Sequence, residues 1–295
     1  MAKEFQRIGL WGRFSDPKVA RPANQISAHL GQRGFQVFAA RLDDQDHLEG
    51  VTHVPLPEIG KTVDLLVAVG GDGNLLRATR CVLGLDVPLI GVNRGRLGFL
   101  TDVTPDQMLA ALDAILDGDY LAEERLMLEA GIRGGSGAAD KMFALNDVVL
   151  QKGDSGRILD FVTTVDGSYV NTHGGDGLIV ATPTGSTAYA LSCGGPIIRP
   201  DVDAMVMVPI CPHTLSDRPL VMRSSSLIEV SLESAGESPA QVACDGEELA
   251  HLGAGETLQI RAAEQKVTLL HPRDYNYYEL LRSKLNWGRA NRTGK

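Results

Sequence analysis

The stretch Val63-Asp-Leu-Leu-Val-Ala-Val-Gly-Gly-Asp-Gly-Asn-Leu-Leu-Arg-Ala-Thr-Arg80 constrains the fold of this chain more than any other. Its apolar run has the length of a strand and stops at Gly70-Gly71-Asp72-Gly73. From Asn74 onward the residues are helix formers, so the glycines are expected in a strand-to-helix turn. Turns of that kind bind phosphate in α/β proteins: glycine lets the backbone approach a ligand, and the helix N-terminus presents unpaired N–H groups with a partial positive charge. Asp72 fits this poorly. A carboxylate would repel a bare pyrophosphate, so it is either a plain turn residue or a group with a task, such as accepting a hydroxyl proton or meeting a metal-bound phosphate.

The flanking sequence extends the pattern. Arg7-Ile-Gly-Leu-Trp11 is predicted as a first buried strand, Val19, Ile26 and Leu30 follow at helical spacing up to Gly34, and Phe35-Gln-Val-Phe-Ala39 reads as a second strand. Strand, helix, strand is the opening of a parallel sheet. Val87-Pro-Leu-Ile-Gly-Val-Asn93 is another buried strand, and it leads into a second glycine-rich loop, Arg94-Gly-Arg-Leu-Gly-Phe-Leu-Thr-Asp102. Ligands of such sheets lie beyond the carboxyl ends of the strands, where this loop falls. Thr104-Pro-Asp-Gln107 combines an N-cap, a first-turn proline and a capping-box glutamine. The helix it predicts runs through Met108, Leu112, Ile115 and Leu116 to Gly118. Asp43, Asp44 and Asp46 lack the glycine-bearing spacing of a calcium loop and read as a solvated loop.

From about Tyr120 the texture changes. Short apolar segments at 126–132, 142–145, 148–150, 158–165, 227–232 and 267–270 alternate with Gly, Ser and Asp turns, which predicts a β-rich second domain. Residues 134–139 read as a hairpin connection. Near the end, Tyr275, Tyr278, Leu281 and Leu285 share one face of a closing helix, terminated by Trp287 and Gly288.

A length of 295 residues suits about two domains. The net charge of −9 is the wrong sign for a nucleic-acid surface, although a small anion responds to local donors. No uncharged apolar run approaches the ~18 residues that span a bilayer, and the first residues have no signal-peptide apolar region. The cysteines at 81, 193, 211 and 244 are too scattered for a metal motif and read as reduced thiols of a cytoplasmic protein.

Four further stretches carry candidate chemistry. Asn146-Asp147, between two strand-like runs, can hold neighbouring hydroxyls or close an Asx turn. Arg157 is either an anion clamp or a surface charge. The densest signal is residues 174–196, Gly-Gly-Asp-Gly-Leu-Ile-Val-Ala-Thr-Pro-Thr-Gly-Ser-Thr-Ala-Tyr-Ala-Leu-Ser-Cys-Gly-Gly-Pro. It predicts a strand over 178–181, a turn of hydroxyls and glycine over 183–186, and a short helix over 187–192 whose N–H groups and hydroxyls face a ligand. His213 and Arg218 lie between prolines; with no Ser or Cys partner at a recognisable spacing, His213 reads as structural. Cys244-Asp-Gly-Glu-Glu248 is a polar turn between strands.

Together these stretches resemble the bacterial NAD kinase family. The resemblance rests on Gly70-Gly-Asp-Gly-Asn74, Asn93-Arg-Gly-Arg-Leu-Gly-Phe-Leu-Thr-Asp102, Asn146-Asp147, residues 176–189 and Pro212-His-Thr-Leu215, in family order. Gly-Gly-Asp-Gly alone is shared with diacylglycerol-type lipid kinases; Thr-Pro-Thr-Gly-Ser-Thr-Ala-Tyr makes the likeness specific. It implies transfer of a phosphate from ATP, with Mg²⁺ or another divalent cation, to the 2′-hydroxyl of the adenosine ribose of NAD. The fold it implies is a Rossmann-like α/β domain over 1–120, a β-sandwich-like NAD-binding domain over 121–270, and a segment over 271–295 returning to the first. Asp72 is then the general base, and Gly70, Gly71, Gly73 and Asn74 the phosphate loop. Asn146 and Asp147 hold ribose hydroxyls. Asp176, Thr187, Ala188, Tyr189 and Ser192 line the adenine and nicotinamide pockets, and Arg77 and Arg157 lie near phosphates or the pocket rim. Gly73, Gly174 and Glu247 border NAD; many relatives carry a larger polar residue at the position of Gly174, which bears on the choice between NAD and NADH. A homodimer or homotetramer is implied, with no resident metal, nucleic acid or membrane partner. The rivals are a lipid or sugar kinase sharing the loop, a nicotinamide dehydrogenase, whose fingerprint Gly71-Asp-Gly73-Asn-Leu-Leu76 breaks at its third glycine, and a non-catalytic NAD sensor.

Overall fold

The computed structural model describes residues 5–41, 47–95, 97–134, 141–153, 158–233 and 239–287. Two units divide the chain: residues Met1–Glu123 with Val267–Lys295, and Glu124–Lys266. The first follows from its apolar strands. It comprises β1 (Arg7–Trp11), α1 (Pro17–Gln32), β2 (Gln36–Arg41), β3 (Thr52–Pro55), α2 (Ile59–Thr62), β4 (Leu65–Val69), α3 (Asp72–Val82), β5 (Leu89–Val92), α4 (Met108–Leu116) and β6 (Tyr120–Arg125), which crosses the boundary. β4 and β5 are buried at every residue, as strands covered on both faces must be, and the pairings β1–β2, β1–β4, β2–β3 and β4–β5 are parallel. Asp16 starts α1 by accepting the Lys18 N–H at 2.9 Å, with Pro17 at the first helical position. Ile8, Leu10, Val67 and Val69 then pack on Val19, Ile26 and Leu30 of that helix and on Leu112 and Ile115 of α4.

Adding β19 (Val267–Pro272), the sheet order is β3-β2-β1-β4-β5-β19-β6. The strand order reverses between β1 and β4, and Gly70-Gly71 follows β4 at that switch point, where sheets of this kind bind ligands. β19 lies parallel to β5, so residues 267–270, expected in the β-rich region, belong to the first unit.

Three helix starts differ from expectation. α3 begins at Asp72, two residues before Asn74, because Gly71 in extended backbone serves as its N-cap. Residues 105–107 form a turn and α4 begins at Met108; the Thr104 hydroxyl bonds the Gln107 side chain at 3.3 Å in place of a backbone N–H. α6 (Tyr277–Leu285) is capped by Asn276, so Tyr275 precedes it; Tyr278 is exposed, and the buried residues are Leu280 and Leu281.

The second unit is all antiparallel in its pairings. β7 (Leu128–Arg133), β8 (Met142–Ala144), β10 (Leu159–Val165), β11 (Ser168–Gly175), β15 (Ile228–Leu232) and β18 (Thr257–Ala262) form a sheet ordered β11-β10-β15-β18-β7-β8. β9 (Asp147–Gln151), β12 (Gly177–Ala181), β13 (Ala204–Ile210), β14 (Leu220–Arg223), β16 (Ala240–Cys244) and β17 (Glu247–Leu252) form the other, ordered β14-β13-β12-β9-β16-β17. Alternate residues of both sheets, such as Leu128, Ala130, Phe161 and Val230 against Val148, Leu150, Leu178 and Val180, share one core. The outer face of the second sheet is buried as well. Val149, Ile179, Ala181, Val206 and Val208 pack under Ala190 of α5 (Tyr189–Ser192) and Ile198.

Candidate active site

Asp72 sits at the first position of α3, half-buried, and its carboxylate is held by the second glycine-rich loop. Oδ2 accepts the Phe99 N–H at 2.8 Å; Oδ1 accepts the N–H groups of Leu100 at 3.2 Å and Thr101 at 3.1 Å and the Thr101 hydroxyl at 2.9 Å. A carboxylate has about four lone-pair sites, two on each oxygen. Oδ1 is saturated and Oδ2 retains an acceptor site.

The surrounding glycines follow from this arrangement. A Cβ on Gly98 would collide with Asp72 Oδ1 and the Thr101 hydroxyl, and one on Gly91 would meet the Leu100 carbonyl at 2.6 Å. Buried Asn93 ties the loop down by accepting the Gly95 N–H at 2.8 Å, while its own N–H reaches the Val103 carbonyl at 2.9 Å. Gly70, with φ +145°, lies against the Asn74 side chain, which donates to the Val69 carbonyl at 3.0 Å. Gly71 and Gly73 have open space where a Cβ would stand, leaving bare backbone at the N-terminus of α3. Arg77 is exposed on the next turn.

The second unit repeats the device with another carboxylate. Asp245, in the hairpin turn Asp245-Gly246 with φ +49° and +77°, accepts the N–H groups of Leu145 and Asn146 at 2.8 Å each and of Asp147 at 3.2 Å. Asp147 is 6% exposed, and its carboxyl has no hydrogen-bond partner among the described residues. Burial, then the Asp245 charge, pushes this carboxyl up to about 7. The turn after β12 packs on the same pair: Thr182 N–H donates to the Asn146 carbonyl at 2.9 Å, and a Cβ on Gly185 would strike the Asn146 backbone.

Residues 182–192 depart from expectation. Three hydroxyls bond protein backbone, Thr182 donating to the Leu145 carbonyl, Ser186 to the Pro183 carbonyl at 2.6 Å and Thr187 to the Thr184 carbonyl at 3.2 Å, while the Thr184 hydroxyl accepts from Arg125 at 3.3 Å. The predicted helix over 187–192 is broken at Ala188 (φ −96°, ψ −128°) into a 3₁₀ turn (Gly185–Thr187) and the four residues of α5. Thr187 and Ala188 remain half-buried, while Tyr189 and Ser192 are exposed. Asp176 pairs with Lys152 at 2.6 Å, and that bond holds its carboxyl below the usual range.

A family model matches a large part of each unit. Residues 24–120 match the model of the ATP-NAD kinase N-terminal domain, and residues 145–271 that of the ATP-NAD kinase C-terminal domain. The chain belongs to the ATP-NAD kinase family. Similar curated family members are the NAD kinase of Thiobacillus denitrificans, 43% identical over 288 residues covering 97% of this chain and 98% of that protein, and the NAD kinase of Ectopseudomonas mendocina, 42% identical over 287 residues covering 97% of each. Among solved structures, an NAD kinase from Archaeoglobus fulgidus in complex with ATP has a TM-score of 0.72 at 26% identity, covering 95% of this chain and 98% of that one. The yeast NADH kinase complexed with NADH has a TM-score of 0.89 at 23% identity, covering 99% and 91%, and shows the shared fold.

Within this family frame, the sequence-derived residues fall into two groups. In the first unit, Gly70, Gly71, Asp72, Gly73 and Asn74 form one turn. In the second, Asn146 and Asp147 join Asp245, and Gly174 pairs with Asp160, whose Oδ1 would lie 3.0 Å from a Cβ at Gly174. Glu247 opens β17 beside the Asp245 turn. Arg157, residues 42–46, most of the 134–139 connection and Gly288 lie outside the described residues. Gly98, Thr101 and Asp245 were missed. Asp245-Gly246 carries a hairpin signal, but nothing local shows which amides its carboxylate reaches.

Proposed function

We propose that this chain carries out its family's reaction, ATP-dependent phosphorylation of NAD at the 2′-hydroxyl of the adenosine ribose, with Asp72 as the general base. Asp72 Oδ2 takes the hydroxyl proton as the ribose oxygen bonds to the γ-phosphorus. The bond from that phosphorus to the bridging oxygen breaks, and ADP leaves. The transition state is loose, so alignment and charge neutralisation dominate. Mg²⁺ supplies part of that neutralisation when it is bound with the nucleotide. Among the described residues no group of three or more His, Cys, Asp or Glu could hold a metal ion.

The observation that carries the reading is the Asp72 cradle. Four donors fix the carboxylate, yet its Oδ2 keeps a free acceptor site at the N-terminus of α3. Gly70, Gly71, Gly73 and Asn74 form the phosphate turn, with Arg77 near the phosphates. Asn146 and Asp147 hold ribose hydroxyls; Asp176, Thr187, Ala188, Tyr189 and Ser192 border the base and nicotinamide, with Gly174 and Glu247 beside them. This reading includes a homodimer or homotetramer, with exposed Leu215, Leu220 and Val221, at 94%, 42% and 48%, as candidate contact residues. Among the described residues no helix is long and apolar enough to cross a membrane, and the four cysteines are free thiols; a cytoplasmic location is part of this reading.

The test is direct. Purified protein incubated with NAD, ATP and Mg²⁺ forms NADP, read with an NADP-specific dehydrogenase. NAD binding without product would instead favour a sensor.

A further inference from the structure

The Asn146-Asp147 pair contains a feature that hydroxyl binding alone does not explain. Three successive N–H groups, of Leu145, Asn146 and Asp147, converge on Asp245, about a hundred residues away in sequence. Donors of this kind stabilise the ionised form of the carboxylate that receives them. Asp147 has the opposite environment. It is buried, its carboxyl has no protein donor among the described residues, and Asp245 stands beside it. The neighbouring elements bring neutral groups. Ala181 of β12 pairs with Asp147, the Thr182 hydroxyl is spent on the Leu145 carbonyl, the Gly185 backbone packs on Asn146, and β16 contributes the buried Cys244 thiol opposite Val148. Among the described residues, Asp245 is therefore the charged group that faces Asp147.

We infer that Asp147 meets its substrate as a neutral carboxylic acid donating a hydrogen bond, and that Asp245 is the positioning residue that keeps it neutral while orienting Asn146. This rests on the reading of Asn146 and Asp147 as ribose ligands. A carboxylic acid offers one O–H donor where a carboxylate offers none, so its partner is an acceptor oxygen of the substrate. The elevated titration of Asp147, near 7, agrees with that form below neutral pH. As pH rises through 7 the donor is lost and a buried negative charge replaces it. NAD capture then weakens, whereas transfer from ATP to NAD already bound depends on Asp72. An Asp147 that worked as an acceptor would bind NAD better as pH rises.

The experiment is the KM for NAD at saturating ATP from pH 5.5 to 8.5, with NAD affinity from calorimetry, for the parent, Asp245→Asn and Asp147→Asn. In the parent, KM is expected to rise about fivefold or more between pH 6 and 8, the loss that one hydrogen bond accounts for. Removing the Asp245 charge lets Asp147 ionise earlier. In Asp245→Asn the rise moves to lower pH while kcat stays within about threefold of the parent. In Asp147→Asn the dependence is flat. A parent KM that is level or falls with pH overturns the inference, as does an Asp245→Asn profile that is superimposable on the parent's or raised equally at every pH. If Asp245→Asn does not fold, Asp147→Asn decides alone: a flat profile supports the inference and a persisting rise overturns it. Failure of the underlying reading looks different, since the parent would then bind no NAD at any pH.

Discussion

In the first unit the Asp72 carboxylate accepts the N–H groups of residues 99–101; in the second, the Asp245 carboxylate accepts those of residues 145–147. Three consecutive amides folded around one carboxylate recur in two unrelated sheets, one parallel and one antiparallel. The cradles differ in what is left over. Around Asp72, Gly98 and Gly91 keep space for a bare loop, and an acceptor site on the cradled carboxylate itself remains free. Around Asp245 the surplus is a second carboxyl group, Asp147, supplied by the cradling segment and buried with no hydrogen-bond partner among the described residues. In the proposed function the first cradle presents its own carboxylate for chemistry. In the inference drawn above, the second uses its carboxylate to set the character of a neighbour.

The largest effect that separates the two comes from Asp72→Asn, which removes the base and turns an amide NH₂ toward backbone donors. Turnover is expected to fall by ~10²–10⁴, with NAD affinity retained in calorimetry. Turnover within about threefold of the parent would remove the general-base role. Asp147→Asn comes next and is read as stability. Because folding raises this carboxyl from 3.8 to about 7, its contribution to stability is fully present below pH 4 and lost as pH rises through 7. The asparagine variant therefore gains on the parent by about 2–3 kcal/mol between pH 5 and pH 8, measured by denaturant unfolding. An unchanged difference across that range would contradict the burial of an ionising Asp147.

Gly98→Ala tests the first cradle through sterics. The added Cβ meets Asp72 Oδ1 and the Thr101 hydroxyl, so a cost of about 1–3 kcal/mol and a lower kcat are expected together. Loss of stability with intact kcat would show that the loop does not fix the base. The smallest effect belongs to Thr101→Val, which deletes one of four donors to Asp72 at a cost of about 1 kcal/mol, with kcat reduced less than tenfold.

Much of the first unit was legible because its strands are apolar on both faces and its turns are punctuated by glycine; β1, β2, β4, β5 and the turn at Gly70 all fall where the pattern put them. The return of β19 beside β5 was not, since a strand of four apolar residues fits either sheet and pairing across about 180 positions leaves no local mark. Asn146-Asp147 stood out as a polar pair between apolar runs. Its control by Asp245 did not, because a hairpin Asp-Gly has the same sequence whether its carboxylate is in water or in a cage of amides. The hydroxyls of 182–187 are legible as a group, but not the bonds they make within the protein. Thr182 and Ser186 serve the backbone of a turn buried under Asn146 and Ile198, and that depends on packing density that a sequence does not display.

The account stands most directly on one side-by-side measurement: kcat and KM for NAD of Asp72→Asn and Asp245→Asn at pH 7.5, each with its folded state verified. Asp72→Asn is expected to lose kcat by at least ~10² with KM near the parent's, and Asp245→Asn to change KM with kcat nearly intact. If both variants lose kcat alike, the two cradles do one job and the distinction drawn between them is wrong.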